Sequence, residues 1–274
     1  MNILYLSIIT AIGIGTCVSF GILILSTPHN SENVPVAGPP HSYFMGVAVN
    51  PVTDKVYVCN YLDDFVYVYG GHYPYERLGV VPVHGEPWDV AVNPLTNKIY
   101  VVNMGSDDAV SVIDGATDSV MKTINAADMG KKPPEMVFDA FRGGKTYKIW
   151  PAQVAVNPET NRIYVSDWNY GDGVVTVIDD RTDQVIDSIA GLGGGSYGIG
   201  VNPNTDRIYV DNVQWGYKAP YEIAVIDGEN NTVVNYQEID KLGSSVAVNP
   251  QNDFVYATGN YQDSSSLTQF YIGR

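Results

Sequence analysis

Acid–base or metal chemistry would fall to four histidines, His29, His41, His72 and His84. His41, His84 and Glu86 are the set that one pore mouth would bring together, two imidazoles and a carboxylate, the donor types of a metal or acid–base group. No His-Glu-x-x-His and no Cys-x-x-Cys accompanies them, so a zinc site has little support. Cys59 sits inside Tyr57-Val-Cys-Asn60 and reads as a packed thiol rather than a nucleophile. Gly191-Leu-Gly-Gly-Gly-Ser196 has the glycines of a phosphate loop without its lysine or following helix, and reads as a flexible linker. Asp167, Asn169 and Asp172 have oxygen donors at calcium-loop spacing, yet no glutamate closes the loop. Asn230-Asn-Thr232 is a glycosylation sequon. Nothing here calls for a cofactor.

Aromatic residues give a stronger pattern. Tyr43, Trp88, Trp150 and Tyr197 stand just before or within segments expected near a pore entrance. Trp168, Tyr170, Trp215, Tyr217 and Tyr261 belong to an outer ring of loops, with Asp63, Asp64, Asp107 and Asp108. Aromatic faces beside carboxylates suit stacking on sugars or gripping a cationic or peptide partner. The plainer reading is that they cap the ring and fill gaps between blades.

The elements that must position these residues repeat. Val47-Ala-Val-Asn-Pro51, Val90-Ala-Val-Asn-Pro94, Val154-Ala-Val-Asn-Pro158, Ile199-Gly-Val-Asn-Pro203 and Val246-Ala-Val-Asn-Pro250 are near copies, spaced 43, 64, 45 and 47 residues apart. Each leads into a second run: Tyr57-Val-Cys-Asn60, Tyr100-Val-Val-Asn103, Tyr164-Val-Ser-Asp167, Tyr209-Val-Asp-Asn212 and Tyr256-Ala-Thr-Gly259. Each unit reads as four short strands joined by turns, such as Pro94-Leu-Thr-Asn97 and Gly115-Ala-Thr-Asp118. Val110-Ser-Val-Ile113 and Val174-Val-Thr-Val-Ile178 are nearly continuous apolar runs, expected of strands covered on both faces. Four antiparallel strands in about 45 residues describe a propeller blade.

The pattern Val-Asn-Pro-x-Thr-(Asp/Asn)-(Lys/Arg)-(Ile/Val)-Tyr-Val resembles the YVTN β-propeller repeat family, from about Val34 onward. The last copy departs, with Gln251-Asn252 and Ala257. The resemblance implies extracytoplasmic, surface-layer-associated proteins of archaea or bacteria and no single reaction. The expected fold is all-β, a five-bladed β-propeller with blades near 44–83, 87–126, 151–190, 197–241 and 243–274. Val34–Ala37 resembles the fourth strand of the first unit and is expected to complete the fifth blade, leaving no open edge. The insert 128–149 carries five of the fifteen basic residues and is either a lid or docking arm on the top face or a solvated loop.

Composition narrows the function. The net charge is −15, so the chain repels a phosphate backbone and no nucleic-acid partner is expected. Ile3–Ser26 contains no charged residue, and as a helix would be about 36 Å long against a hydrocarbon core of about 30 Å. Residues 1–27 are therefore expected to be a signal-anchor helix or a signal peptide, length and a poor cleavage site favouring the anchor, followed by a linker at 28–33. Either puts the rest of the chain outside, tethered to the cell membrane or secreted. The expected function is a binding or scaffold module at the cell surface, with a protein, peptide or glycan partner on its top face. The alternative is a pore-mouth lyase or hydrolase.

Overall fold

The structure is a computed structural model. It describes residues 42–72, 76–105, 109–129, 136–139, 144–147, 151–167, 173–192, 195–213, 221–240, 243–261 and 264–271. The expected anchor, the linker and the closing strand Val34–Ala37 lie outside these residues. Among the described residues no helix is long and apolar enough to cross a membrane.

Each repeat unit forms one antiparallel meander. The first sheet holds β1 (Phe44–Asn50), β2 (Lys55–Asn60), β3 (Phe65–Gly70) and β4 (Arg77–Pro82). The second holds β5 (Pro87–Asn93), β6 (Lys98–Asn103), β7 (Ala109–Asp114) and β8 (Ser119–Asn125). After a 3-10 turn at Ala126–Asp128, β9 (Met136–Asp139) and β10 (Gly144–Tyr147) pair as a separate hairpin, so the insert has strand structure of its own. The third sheet holds β11 (Pro151–Asn157), β12 (Arg162–Asp167), β13 (Val175–Asp179) and β14 (Gln184–Ile189). The fourth holds β15 (Gly195–Asn202), β16 (Arg207–Val213), β17 (Tyr221–Asp227) and β18 (Thr232–Ile239). The fifth has three strands among the described residues, β19 (Gly243–Asn249), β20 (Phe254–Tyr261) and β21 (Ser264–Tyr271). The architecture is all-β and propeller-like.

The repeated turn residues make these hairpins. The asparagine of each Asn-Pro accepts a hydrogen bond from the backbone N–H two residues on: Val52 to Asn50 at 3.0 Å, Leu95 to Asn93 at 3.1 Å, Glu159 to Asn157 at 3.1 Å. Asp54, Asn97, Asn161, Asp206 and Asp253 then adopt positive φ, a conformation that Asn and Asp tolerate better than other side chains. The third-to-fourth-strand turns repeat the device with Asp118, Asp183 and Asn231.

Apolar alternation packs one sheet on the next. Tyr57, Cys59, Val66 and Val68 of the first sheet meet Val90, Ile99 and Val101 of the second. The second meets the third through Tyr100, Val102 and Val112 on Val154, Ile163 and Val165. The same arrangement joins third to fourth and fourth to fifth. The innermost strands lie side by side in the order β1, β5, β11, β15, β19. The middle strands are covered on both faces, as the continuous runs predict: Ala109–Ile113 and Val175–Ile178 are buried throughout. Gly46 is fixed by this packing, because a Cβ there would stand 2.7 Å from Asp89 Cα.

Polar clamps reinforce the lower ends. Lys55 Nζ donates to Gly115 O at 2.9 Å and pairs with Asp118 at 2.7 Å, both on the second sheet. Lys98 likewise reaches Asp180 O and pairs with Asp183 at 2.8 Å, and Arg162 reaches Gly228 O. The tyrosine two residues on joins in, Tyr57 Oη donating to Asp118 at 3.0 Å and Tyr100 Oη to Asp180 at 2.6 Å. Side-chain bonds Asn50–Asn97, Asn157–Asp206 and Asn202–Asp253, at 2.7–2.8 Å, link neighbouring sheets further.

Candidate functional site

The top-face loops gather aromatic residues from separate sheets. Tyr43 precedes β1, Tyr61 opens the loop after β2, and Trp88 lies at the start of β5. Tyr43 and Tyr61 meet edge to face at 6.3 Å between centroids, and Tyr61 meets Trp88 at 5.8 Å. The Trp88 indole lies close enough to the Tyr197 hydroxyl on β15 to lower its pKa, against the rise that burial causes. Trp88 belongs to the second sheet and Tyr197 to the fourth, so their meeting places both in the space that the innermost strands surround. Tyr43 is exposed, while Trp88 and Tyr197 are half-buried. These contacts form one strip, Tyr43–Tyr61–Trp88–Tyr197.

Acidic groups line its edge and are held by it. Tyr61 Oη donates to Glu86 at 3.1 Å. Glu86, at φ 48°, donates its backbone N–H to Asp64 at 2.7 Å, and its carbonyl accepts from Met104 N–H at 3.0 Å. Asp63 accepts from Asn60 at 2.6 Å. These two aspartates therefore order the loop, beyond the ligand role read from sequence. The His84 backbone N–H donates to Ser111 Oγ at 3.4 Å.

Two carboxylates, Asp89 half-buried and Asp211 fully buried, lie nearby. Asp89, next to Trp88, accepts from Val154 N–H on the third sheet at 3.0 Å, and Gln153 likewise accepts from Ile199 N–H on the fourth at 3.3 Å. Burial raises the Asp89 pKa to about 6 despite the backbone N–H donors Val154 and Val90. Asp211 on β16 is fully buried against Gly243, where a Cβ would stand 2.3 Å from its carboxylate. No hydrogen bond of ordinary geometry reaches either of its oxygens, and only the Gly198 backbone N–H approaches them. Burial pushes its pKa to about 7, with the Gly198 backbone N–H lowering it only in part. Both acids raise the pKa of Tyr197, whose largest cause is its own burial.

Of the residues singled out from sequence, the structure joins Tyr43, Trp88 and Tyr197 into one strip and puts Glu86 at its edge. Tyr61, Asp89 and Asp211 were missed. Tyr61 was findable as the residue following each Tyr-Val-x-Asn run, while Asp211 is the lone carboxylate where the other copies hold Cys59, Val102, Ser166 and Thr258. His41, Trp150, Trp168, Asn169, Tyr170, Asp172, Trp215 and Tyr217 lie outside the described residues. Tyr261 ends β20, opposite Ser264. Asp167 is buried at the end of β12. Among the described residues no three His, Cys, Asp or Glu side chains gather to hold a metal. Cys59 is a buried free thiol whose pKa burial raises, as a packed role predicts. Of the glycine-rich segment, Leu192 is fully buried and Gly195 and Ser196 belong to β15, while Gly193 and Gly194 lie outside the described residues. Asn230 is exposed in the turn before β18, where its side chain accepts from Thr232.

No family model and no curated protein matches the chain. A solved chain of Kuenenia stuttgartiensis hydrazine synthase is similar, with TM-score 0.62 and 20% identity over 78% of this chain. The likeness is one of fold. This chain spans 55% of that one's length.

Proposed function

We propose that the chain is a YVTN-type propeller of five blades, acting outside the cytoplasm as a binding or scaffold module whose top face takes a peptide, protein or glycan. The carrying observation is the strip Tyr43–Tyr61–Trp88–Tyr197 edged by Glu86. It supports binding because ring faces stack on sugars and attract cations, while fixed carboxylates orient a polar partner. Five repeats that form five sheets support the blade count. The outer edge of β21 is where Val34–Ala37 would add the closing strand. The uncharged run Ile3–Ser26 and the family resemblance support a place at the membrane's outer face or in the secreted fraction.

The test is a glycan and peptide array probed with the full chain, followed by affinity measurements on whatever binds. Removing an aromatic contact forfeits about 1–3 kcal/mol, so Tyr43→Ala and Tyr61→Ala should each weaken binding roughly 5- to 150-fold. Unchanged affinity in both variants contradicts the site.

A further inference from the structure

The carboxylates beside the aromatic strip carry no counter-charge. Among the described residues every ion pair between side chains sits at a lower turn: Lys55–Asp118, Lys98–Asp183, Arg181–Asp179, Arg207–Asp227 and, once its ring is protonated, His72–Asp54. None of these reaches Glu86, Asp89 or Asp211. A cation of the chain beside a carboxylate would hold its pKa down. Asp89 and Asp211 are instead raised, to about 6 and about 7, and what opposes the rise is backbone N–H alone: Val154 and Val90 for the first, Gly198 for the second. At neutral pH one is largely charged and the other half-charged, with no cation answering either.

The fold brings these acids to one strip. Asp89 comes from the second sheet and Asp211 from the fourth, and the charge of each reaches the Tyr197 hydroxyl. Each ring of the strip thus has its own acid: Tyr61 bonds Glu86, Trp88 precedes Asp89, and Tyr197 feels Asp211. Glycines let the backbone close in on them, since a Cβ at Gly46 would stand 2.9 Å from Asp89 Oδ1 and one at Gly243 2.3 Å from Asp211. The titratable neighbours are neutral. Cys59 on β2 faces Asp89, and Tyr197 on β15 faces both acids; burial raises the pKa of each. The other elements packed there offer Gly46 on β1, the Val154 N–H on β11 and Gly243 on β19.

Building on the binding role proposed for this strip, we infer that its ligand is a cationic side chain of a peptide or protein partner, an ammonium or guanidinium group seated at Trp88 and Tyr197 against Glu86 and Asp89. A neutral sugar would gain from the rings alone, whereas a cation gains from ring faces and carboxylates together. Asp89, half-buried, is the acid that pairs with it; Asp211, fully covered, contributes its field at Tyr197. A bound cation favours the charged acid, so binding expels the proton that Asp89 holds below about pH 6. Affinity should therefore rise about tenfold from pH 5 to pH 7.

Calorimetry on the full chain tests this with a pentapeptide holding one central arginine, its citrulline counterpart, and chitotriose as a neutral sugar. The arginine peptide should bind at least about tenfold more tightly than the citrulline one, with the pH gain above and release of up to about one proton. Asp89→Asn keeps an acceptor for the Val154 N–H, and it should lower affinity and abolish the pH gain. Glu86→Gln should lower affinity at every pH, and with the citrulline comparison it carries the test if Asp89→Asn does not fold. Equal binding of the two peptides, or binding of chitotriose alone, overturns the cationic ligand; where Tyr61→Ala abolishes that binding, the strip itself stands as the site. Failure of all three probes to bind at about 1 mM overturns the inference too, and leaves the wider binding role to the array.

Discussion

The lower ends of the five sheets and their upper ends solve different problems. Below, the same residues recur: Asn-Pro turns, an Asp or Asn at positive φ, and a Lys or Arg reaching the next sheet. Above, each loop differs, and the contacts are aromatic rings, buried carboxylates and backbone donors used once each. Repetition marks the end that holds the sheets to one another, and variation marks the end free to specialise. A repeat motif in such a protein says how it assembles rather than what it recognises.

The largest expected effect separates the two ends by pH. Unfolded, Asp211 ionises near pH 4; folded, it keeps its proton to about pH 7. Unfolding therefore releases a proton between those values, and stability falls as pH rises from 4 to 7, by on the order of 4 kcal/mol. Asp211→Asn should flatten that slope in urea titrations and leave the protein more stable than wild type at pH 8. Asp89, with its pKa at about 6, adds a smaller fall over pH 4 to 6. A wild type whose stability is level from pH 4 to 8 would show that the buried carboxylates are solvated.

Next comes the lower clamp. Lys98 and Asp183 are both largely buried, so Lys98→Ala leaves an uncompensated carboxylate and should cost about 3 kcal/mol, read as a lower urea midpoint. It should leave binding at the top face unchanged. Lys55→Ala, at a more exposed pair, should cost less.

Strand positions and hairpin turns were legible in the sequence, since period-two alternation and Asn-Pro turns act over a few residues. The first two sheets, Phe44–Pro82 and Pro87–Asn125, each hold one copy of the repeated motif. The clamps were not legible. Lys98 and Asp183 are 85 residues apart, and only the stacking of whole sheets brings them together. Pro94-Leu-Thr-Asn97 read from sequence as a turn between strands, but Thr96 Oγ1 also donates to Asp180 at 3.0 Å across the sheet boundary. At the top, aromatic residues signalled a cluster, yet their partners depend on how sheets two and four approach. Asp211 was invisible for the same reason, because a lone Asp in a strand does not announce that Gly243 will close over it.

The smallest expected effect on stability, and the most direct on function, belongs to the exposed end of the strip. Tyr43→Ala should change stability by under about 0.5 kcal/mol, as a surface substitution does. The deciding measurement compares Tyr43→Ala with Thr96→Ala, each assayed for melting temperature and for affinity toward the ligand that the array returns. The account predicts that Tyr43→Ala loses binding and keeps its melting temperature, while Thr96→Ala lowers melting and binds normally. If Thr96→Ala loses binding while Tyr43→Ala keeps it, the binding face has been assigned to the wrong end of the molecule.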